Sequence, residues 1–405
     1  MVKQQGGHVI MISEKMKKMV AGSSAIRAMF EEGNRLSKIY GRENVFDFSI
    51  GNPNVPAPDS VKESILKILD TEDSLVLHGY NTSSAGYEDV REEISKSLNS
   101  KFGTDFKAKN IIMTAGAAGG LNVILKSIIN PGDEIITFAP YFGEYRSYCN
   151  NYDAVLVAVS PDPPYFQPDL VQFREKITPK TKAVIINTPN NPTGVIYSEE
   201  TIKNLSAILS EKEKEYGTEI YLISDEPYRD LAYDGIEVPY ITKYYDNAVV
   251  AYSYSKSLSL PGERIGYLVI PDEVSDSEEL IGAVIVATRI LGFINAPTLQ
   301  QKIVKMCLHE KTDISYYNRN REALYKGLTE IGFECIKPEG AFYMFVKTPV
   351  EDETEFCETA KKHNILLVPG SSFGCPGYVR IAYCVSYETI KGSLPKFKEL
   401  MMEYK

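Results

Sequence analysis

The chain has 405 residues, more than one hydrophobic core usually serves, so two units sharing a cleft are expected. Its 43% apolar and 24% charged residues are ordinary for a globular protein and exclude a disordered, collagen-like or coiled-coil chain. A formal charge of −10, from 44 basic and 54 acidic residues with no basic tract, argues against a nucleic-acid partner.

At the N-terminus the apolar run Val9-Ile10-Met11-Ile12 is shorter than the core of a secretory signal, and no clear small-residue cleavage site follows it, so a cytoplasmic location is expected. A helical pattern over 25–40 leads into a Pro-rich loop at 51–58, whose fixed backbone favours an extended path beside the C-terminal unit. The longest apolar stretch, 111–129, is interrupted by Thr114, three glycines, Asn122 and Lys126, so no membrane span is expected.

Between 110 and 270, β-rich runs at 111–114, 134–138, 154–159, 183–187, 220–225, 248–253 and 266–270 alternate with helical patterns at 121–129, 198–216 and after Ser277. This alternation predicts the α/β class, a mainly parallel sheet sandwiched by helices. From about Asn295 the pattern changes. A helix, a strand-like run at 341–346, a helix-like run at 353–363, a strand-like run at 378–384 and a Lys-rich last helix predict a smaller α+β unit. The expected division is a large unit of residues 60–295 and a small one built from 1–59 and 296–405. The six cysteines form no C-x-x-C pair and the four histidines no H-E-x-x-H, so no metal is expected; the cysteines read as small buried hydrophobes in a reducing compartment.

Ligands of an open α/β sheet bind beyond the carboxyl ends of its strands, and polar residues cluster there in this chain. After 111–114 comes Ala115-Gly116-Ala117-Ala118-Gly119-Gly120 and then a helix. Such small residues let backbone N–H groups close on an anion at a helix N-terminus, although they equally suit close strand–helix packing. Asn190-Asn191-Pro192-Thr193-Gly194 follows 183–187, and its prolines can hold an Asn amide over the cleft or simply make a turn. The strand ending Ile223-Ser224-Asp225-Glu226-Pro227-Tyr228 carries two acids. A carboxylate at that depth needs a cation such as a protonated ring nitrogen, with the Tyr228 hydroxyl near the same ligand; the alternative is a helix N-cap at Asp225. Ser253-Tyr254-Ser255-Lys256 ends the next run, where desolvation would lower the amine pKa and make Lys256 a nucleophile rather than a loop lysine in solvent. Arg264 follows in Gly262-Glu263-Arg264-Ile265-Gly266-Tyr267.

Taken in order, T-A-G-A-A-G-G, N-N-P-T-G, D-E-P-Y, S-Y-S-K and G-E-R-I-G-Y resemble the class I/II aminotransferases, the fold-type I pyridoxal-phosphate enzymes related to aspartate aminotransferase, over about 50–382. The resemblance implies pyridoxal 5'-phosphate as cofactor and amino-group transfer between an L-amino acid and a 2-oxo acid. Lys256 would form the Schiff base and later move the proton between the substrate α-carbon and the cofactor. Asp225 would pair with the ring nitrogen, and Asn191 and Tyr228 would hydrogen-bond the phenolate oxygen. The backbone of Gly116, Ala117 and Ala118, with Ser253 and Arg264, would hold the phosphate, and Phe142 in Pro140-Tyr141-Phe142 would stack on the ring.

On the substrate side, Arg380 in Val379-Arg380-Ile381-Ala382 would grip the α-carboxylate with its fork of N–H groups, beside Gly51, Asn191 and the segment Gly340-Ala341-Phe342-Tyr343. Tyr80, in His78-Gly79-Tyr80, resembles the tyrosine that reaches the neighbouring subunit's phosphate, which implies a homodimer with shared active sites. Two departures stand out: the spacing from Tyr80 to Gly86 is a residue longer than the usual segment, and Ala118 replaces a Lys of one branch acting on dicarboxylic amino acids. Two other readings share these motifs. One is a C–S β-lyase of the cystathionine β-lyase-like branch; the other is a non-catalytic ligand-sensing domain, for which the short N-terminal segment offers no DNA-binding unit.

Overall fold

The computed structural model describes residues 12–21, 25–81 and 83–405; the apolar residues 9–11 lie outside the described residues. A two-residue strand, β1 (Phe46–Asp47), precedes the Pro-rich loop. The runs of Ile, Val and Leu that follow are apolar on both faces, as strands covered by helices on two sides must be. They form β2 (Ile111–Thr114), β3 (Glu134–Phe138), β4 (Val155–Val159), β5 (Thr181–Asn187), β6 (Tyr221–Asp225), β7 (Ala248–Ser253) and β8 (Gly266–Val269). These pair in the order β2-β8-β7-β6-β5-β3-β4. Neighbours run parallel from β7 to β4, whereas β8 is antiparallel to both β2 and β7.

Because strand side chains alternate in direction, Val184, Ile186 and Leu222 enter one core and Ala183, Ile185 and Ile223 the other. Asn187 pairs with Asp225, Asp225 with Ala251, and Gly266 with both Ser253 and Thr114. That register lines the polar strand ends along one edge of the sheet.

The helix expected over 121–129 starts five residues earlier and spans Gly116–Ile128. Glycine disfavours a helix by about 1 kcal/mol, which hides this first turn in the sequence. Its use is close approach: a Cβ at Gly120 would meet Leu268 Cδ2 at 3.1 Å. The helices over Glu199–Tyr216 and Ser277–Ile290 follow their patterns.

In the C-terminal part, β9 (Tyr343–Lys347), β10 (Ile365–Leu366), β11 (Val368–Pro369) and β12 (Tyr378–Ala382) alternate with helices Glu353–Lys362 and Tyr387–Met402. An antiparallel sheet of order β11-β12-β9 results. The strand expected from 341 begins only at Tyr343, because Ala341 adopts a left-handed φ of +56° that turns the chain. β1 adds in parallel to β10, and Phe46 and Phe48 join Phe356, Phe397 and Leu400 in the core of this part. The helix Thr298–Met306 instead buries Ile303 and Val304 in the core of the larger sheet. Among the described residues no helix is long and apolar enough to cross a membrane, and no cluster of His, Cys, Asp or Glu is grouped to hold a metal.

Candidate active site

Ser253, the last residue of β7, caps a single helical turn, Tyr254–Ser257, its Oγ accepting from the Ser255 N–H at 3.2 Å. That turn carries Lys256 out of the sheet edge, and its Nζ donates to the Gly51 carbonyl at 2.7 Å. The amine lies 5.2 Å from the Phe342 ring centre and 6.0 Å from that of Tyr228. Burial pulls its pKa down to about 8; Cys384 opposes this, and Arg380 and Arg264 add to it. A larger share of free amine near neutrality is what a carbonyl-condensing lysine needs.

Asp225 ends β6 at 5% exposure. Its Oδ2 accepts from Tyr145 Oη at 2.7 Å, while Oδ1 has no partner. Burial lifts the carboxyl from 3.8 to about 7, with the Tyr145 hydrogen bond opposing and the Glu226 charge adding. An acid so placed is short of one positive partner. Asn187, its register neighbour, donates to the Asp225 carbonyl at 2.8 Å and accepts from the Asn191 N–H at 2.7 Å, tying the two loops together. The residues after Asp225 form a turn, so the helix N-cap alternative is not realised.

Arg380, on β12 of the smaller sheet, reaches across to this edge. Its Nη1 donates to Asn191 Oδ1 at 3.0 Å and its Nη2 to the Ser49 carbonyl at 2.6 Å, while Nε has no partner. The guanidinium lies over the rings of Tyr343 and Phe373, at 4.6 Å and 4.9 Å from their centres. Tyr343 also shares a hydrogen bond with Tyr228, hydroxyl to hydroxyl at 2.8 Å. Gly51 is needed beneath it, since a Cβ there would lie 1.9 Å from Tyr343 Oη.

A second, positive corner lies at the start of helix Gly116–Ile128. Ala115 gives it no side-chain cap, so the first N–H groups, including those of Gly116, Ala117 and Ala118, have no helical acceptor. Arg264 stands against them: a Cβ at Gly116 would approach its Nη2 to 2.9 Å. Arg264 itself has a left-handed φ of +53°, a backbone cost of about 1–2 kcal/mol for a residue with a side chain. Its Nη1 donates to the Pro261 carbonyl at 3.0 Å. Ser253 Oγ lies 2.7 Å from Ser255 Oγ at the end of β7, beside Gly266 in the register. The ring of Phe142 is half-buried and meets Tyr145 edge-on, 5.6 Å between centres, which places it beside the Asp225 pair.

Thus Lys256, Asp225, Asn191, Tyr228, Arg380, Gly51, Phe142 and the Gly116, Ala117, Ala118, Ser253 and Arg264 corner gather along one sheet edge. Tyr80 does not join them. It follows the short helix Ser74–His78 and is 87% exposed, with Leu75 and Val76 also turned outward. The sequence reading misses Tyr145, Asn187 and the carbonyl of Ser49. Asn187 carried a usable signal, as the last polar residue of a strand level with Asp225; Tyr145 carried none beyond standing three residues after Phe142.

Residues 43–394 match the family described as aminotransferase class I and II. A probable aspartate aminotransferase of Methanocaldococcus jannaschii is 31% identical, with 96% of this chain and 100% of that protein covered. Among solved structures, an aminotransferase from Eubacterium rectale is 50% identical with a TM-score of 0.95, covering 98% of this chain and 100% of that one. Aspartate aminotransferase of Thermus thermophilus with maleate is 27% identical with a TM-score of 0.85, covering 97% and 100%. A mostly parallel sheet with β8 reversed, a smaller antiparallel sheet and this match over nearly the whole length agree, and the chain belongs to the aminotransferase class I and II family as an aminotransferase of fold type I.

Proposed function

We propose that this edge binds pyridoxal 5'-phosphate and transfers the amino group between an L-amino acid and a 2-oxo acid, in the manner of aspartate aminotransferase. The observation that carries the reading is the unpaired Oδ1 of buried Asp225 in the same site as the pKa-lowered amine of Lys256. When bound, the cofactor supplies an electron-withdrawing ring that takes up the electron pair left on the substrate α-carbon.

Lys256 would hold the cofactor covalently, and its amine would carry a proton to and from the substrate α-carbon. Asp225 meets the ring nitrogen, and the cation it lacks is thereby provided. Asn191 turns its carbonyl to Arg380 and keeps its amide N–H groups for the ring's phenolate oxygen, next to the Tyr228 hydroxyl. Gly116, Ala117 and Ala118 offer backbone N–H groups to the phosphate, Ser253 a hydroxyl and Arg264 a charge. Phe142 covers the ring. Arg380, with its free Nε, receives the substrate carboxylate beside Gly51 and Asn191.

Tyr80 belongs to this reading as a group given to a partner subunit's site, which makes the enzyme a homodimer; support comes from its exposure together with Leu75 and Val76. The large unit, 60–295, then carries the cofactor and the small one, 1–59 with 296–405 apart from the helix Thr298–Met306 that packs in the larger core, the substrate arginine. The partners are small molecules rather than nucleic acid or a membrane, and the six cysteines, all free, fit a cytoplasmic enzyme. The test is turnover: aspartate or glutamate with a 2-oxo acid should exchange amino groups. Release of pyruvate and ammonia from cystathionine, without exchange, would instead establish the β-lyase chemistry and reject the transfer.

A further inference from the structure

Asp225 has two carboxylate oxygens in different situations. Oδ2 accepts from Tyr145 Oη at 2.7 Å, and Oδ1 has no partner. Both residues are buried, Tyr145 completely, so water does not compete for this bond. Burial first, and the Asp225 charge next, hold the Tyr145 hydroxyl far above the usual phenol range, so it keeps its proton and donates. Other groups near the carboxyl are Tyr148 on the same helix as Tyr145, Tyr228, and Glu226, whose own charge is matched by Arg229.

We propose that Tyr145 is the positioning residue for Asp225. Its hydroxyl takes one oxygen, fixes the plane of the carboxyl group, and leaves Oδ1 as the acceptor for the cofactor ring nitrogen. A hydrogen bond given to the charged form also favours that form, which offsets the desolvation that would otherwise keep the acid neutral. A neutral Asp225 would accept a ring N–H less strongly, and the ring would lose part of its electron-withdrawing power. The residue lies 80 positions before Asp225, on the helix Glu144–Asn151 that Phe142 leads into, so one segment covers the ring and also sets the acid beneath it. This inference rests on the cofactor reading above.

The test compares wild type with Tyr145→Phe and with a difluorinated tyrosine at position 145, whose more acidic hydroxyl is the stronger donor and keeps the shape. In cofactor-free protein, the Asp225 carboxyl is followed by carbon NMR of labelled aspartate, assigned with Asp225→Asn. Tyr145→Phe should raise its midpoint, and the fluorinated residue should lower it. In a visible-absorbance titration, Tyr145→Phe should weaken cofactor binding about tenfold, equivalent to ~1.4 kcal/mol, and the fluorinated protein should bind at least as tightly as wild type. Unchanged midpoints, or shifts in the same direction for both replacements, would overturn the proposal. Should Tyr145→Phe fail to fold, the fluorinated protein decides by itself. If wild type bound no cofactor, the function above would fall, while the carboxyl titration would still decide whether Tyr145 governs Asp225.

Discussion

Asp225 and Glu226 are consecutive acids at the end of one strand, both buried, and they serve different regions of the molecule. Glu226, 1% exposed, is clasped at both oxygens by the Arg229 guanidinium, which also donates to the carbonyls of Val238 and Pro239 at 2.9 and 3.0 Å. The rings of Phe102 and Tyr240 cover that guanidinium at 5.3 and 5.0 Å. Both Glu226 oxygens are thus taken by its own chain. Asp225 has one hydroxyl and an empty oxygen. The lesson is that burial alone does not mark a functional charge. A buried acid satisfied by its own chain reads as scaffold, and one left a partner short fits the ligand role proposed for it.

The largest effect expected lies on the ligand side. Lys256→Ala should abolish covalent cofactor attachment and cut turnover by more than about a thousandfold, the scale set by losing both a nucleophile and a proton carrier. Circular dichroism should still report a folded protein. Borohydride reduction of wild type, followed by peptide mapping, should place the modified lysine at 256. A label found elsewhere would remove the basis for every assignment along the sheet edge.

The pair itself is separated next. Asp225→Asn should lower kcat by at least about a hundredfold with no loss of stability in the cofactor-free protein, because an uncompensated acid is replaced by a neutral amide. Glu226→Gln should do the reverse. It leaves a buried guanidinium without its carboxylate, which costs about 3–5 kcal/mol, while the rate per folded molecule stays within a fewfold. Denaturant unfolding and steady-state kinetics on both variants measure the two quantities. Equal behaviour of the two variants would end the distinction drawn between scaffold acid and ligand acid.

Stability against pH sharpens the same contrast in cofactor-free protein. Burial raises the Asp225 pKa from 3.8 to about 7, so the folded state holds its proton more tightly than the unfolded chain, and stability falls as pH rises from 3.8 towards 7. For Lys256, burial lowers the pKa from 10.5 to about 8, so the unfolded chain holds the proton more tightly and stability rises from pH 8 towards 10.5. These two groups together predict a minimum between about 7 and 8. Asp225→Asn should flatten the acid limb and Lys256→Met the alkaline one, whereas Glu226→Gln should lower the curve, keep the alkaline limb and shorten the acid limb only by the share that the Glu226 charge adds. Thermal melts across pH 4 to 10.5 are sufficient to read this.

Much of this was legible in the sequence for a physical reason. Strands covered on both faces are continuous apolar runs, and the polar residues that follow them must face the sheet edge, so Lys256, Asp225 and Asn191 could be placed before any coordinates, whereas Arg264 reaches that edge because β8, which it precedes, runs antiparallel to β7. Helix 116–128 was legible only in part, because Gly119 and Gly120 weaken the helical signal, while Gly120 serves close packing on Leu268. Contacts across the fold were not legible. Arg380 lies 189 residues from Asn191, and Tyr145 sits in a helix whose sequence marks no site. Tyr80 shows the opposite limit: a motif singled it out, yet the chain by itself leaves it at the surface.

The smallest effect tests how finely the ligand side is tuned. Tyr228 and Tyr343 share one hydrogen bond at 2.8 Å, and Arg380 rests on the Tyr343 ring, so the pair links the hydroxyl proposed for the cofactor ring to the arginine proposed for the carboxylate. Tyr228→Phe removes the shared bond and the donor proposed for the cofactor, and should reduce kcat/KM about fivefold, near the ~1 kcal/mol net value of one hydrogen bond. Tyr343→Phe removes only the shared bond and should cost less, about threefold. If the two hydroxyls act through each other, the double variant should match Tyr228→Phe alone rather than multiply the two losses. Multiplicative losses would mean that the bond between them is incidental, and that Tyr343 serves Arg380 through its ring and nothing more.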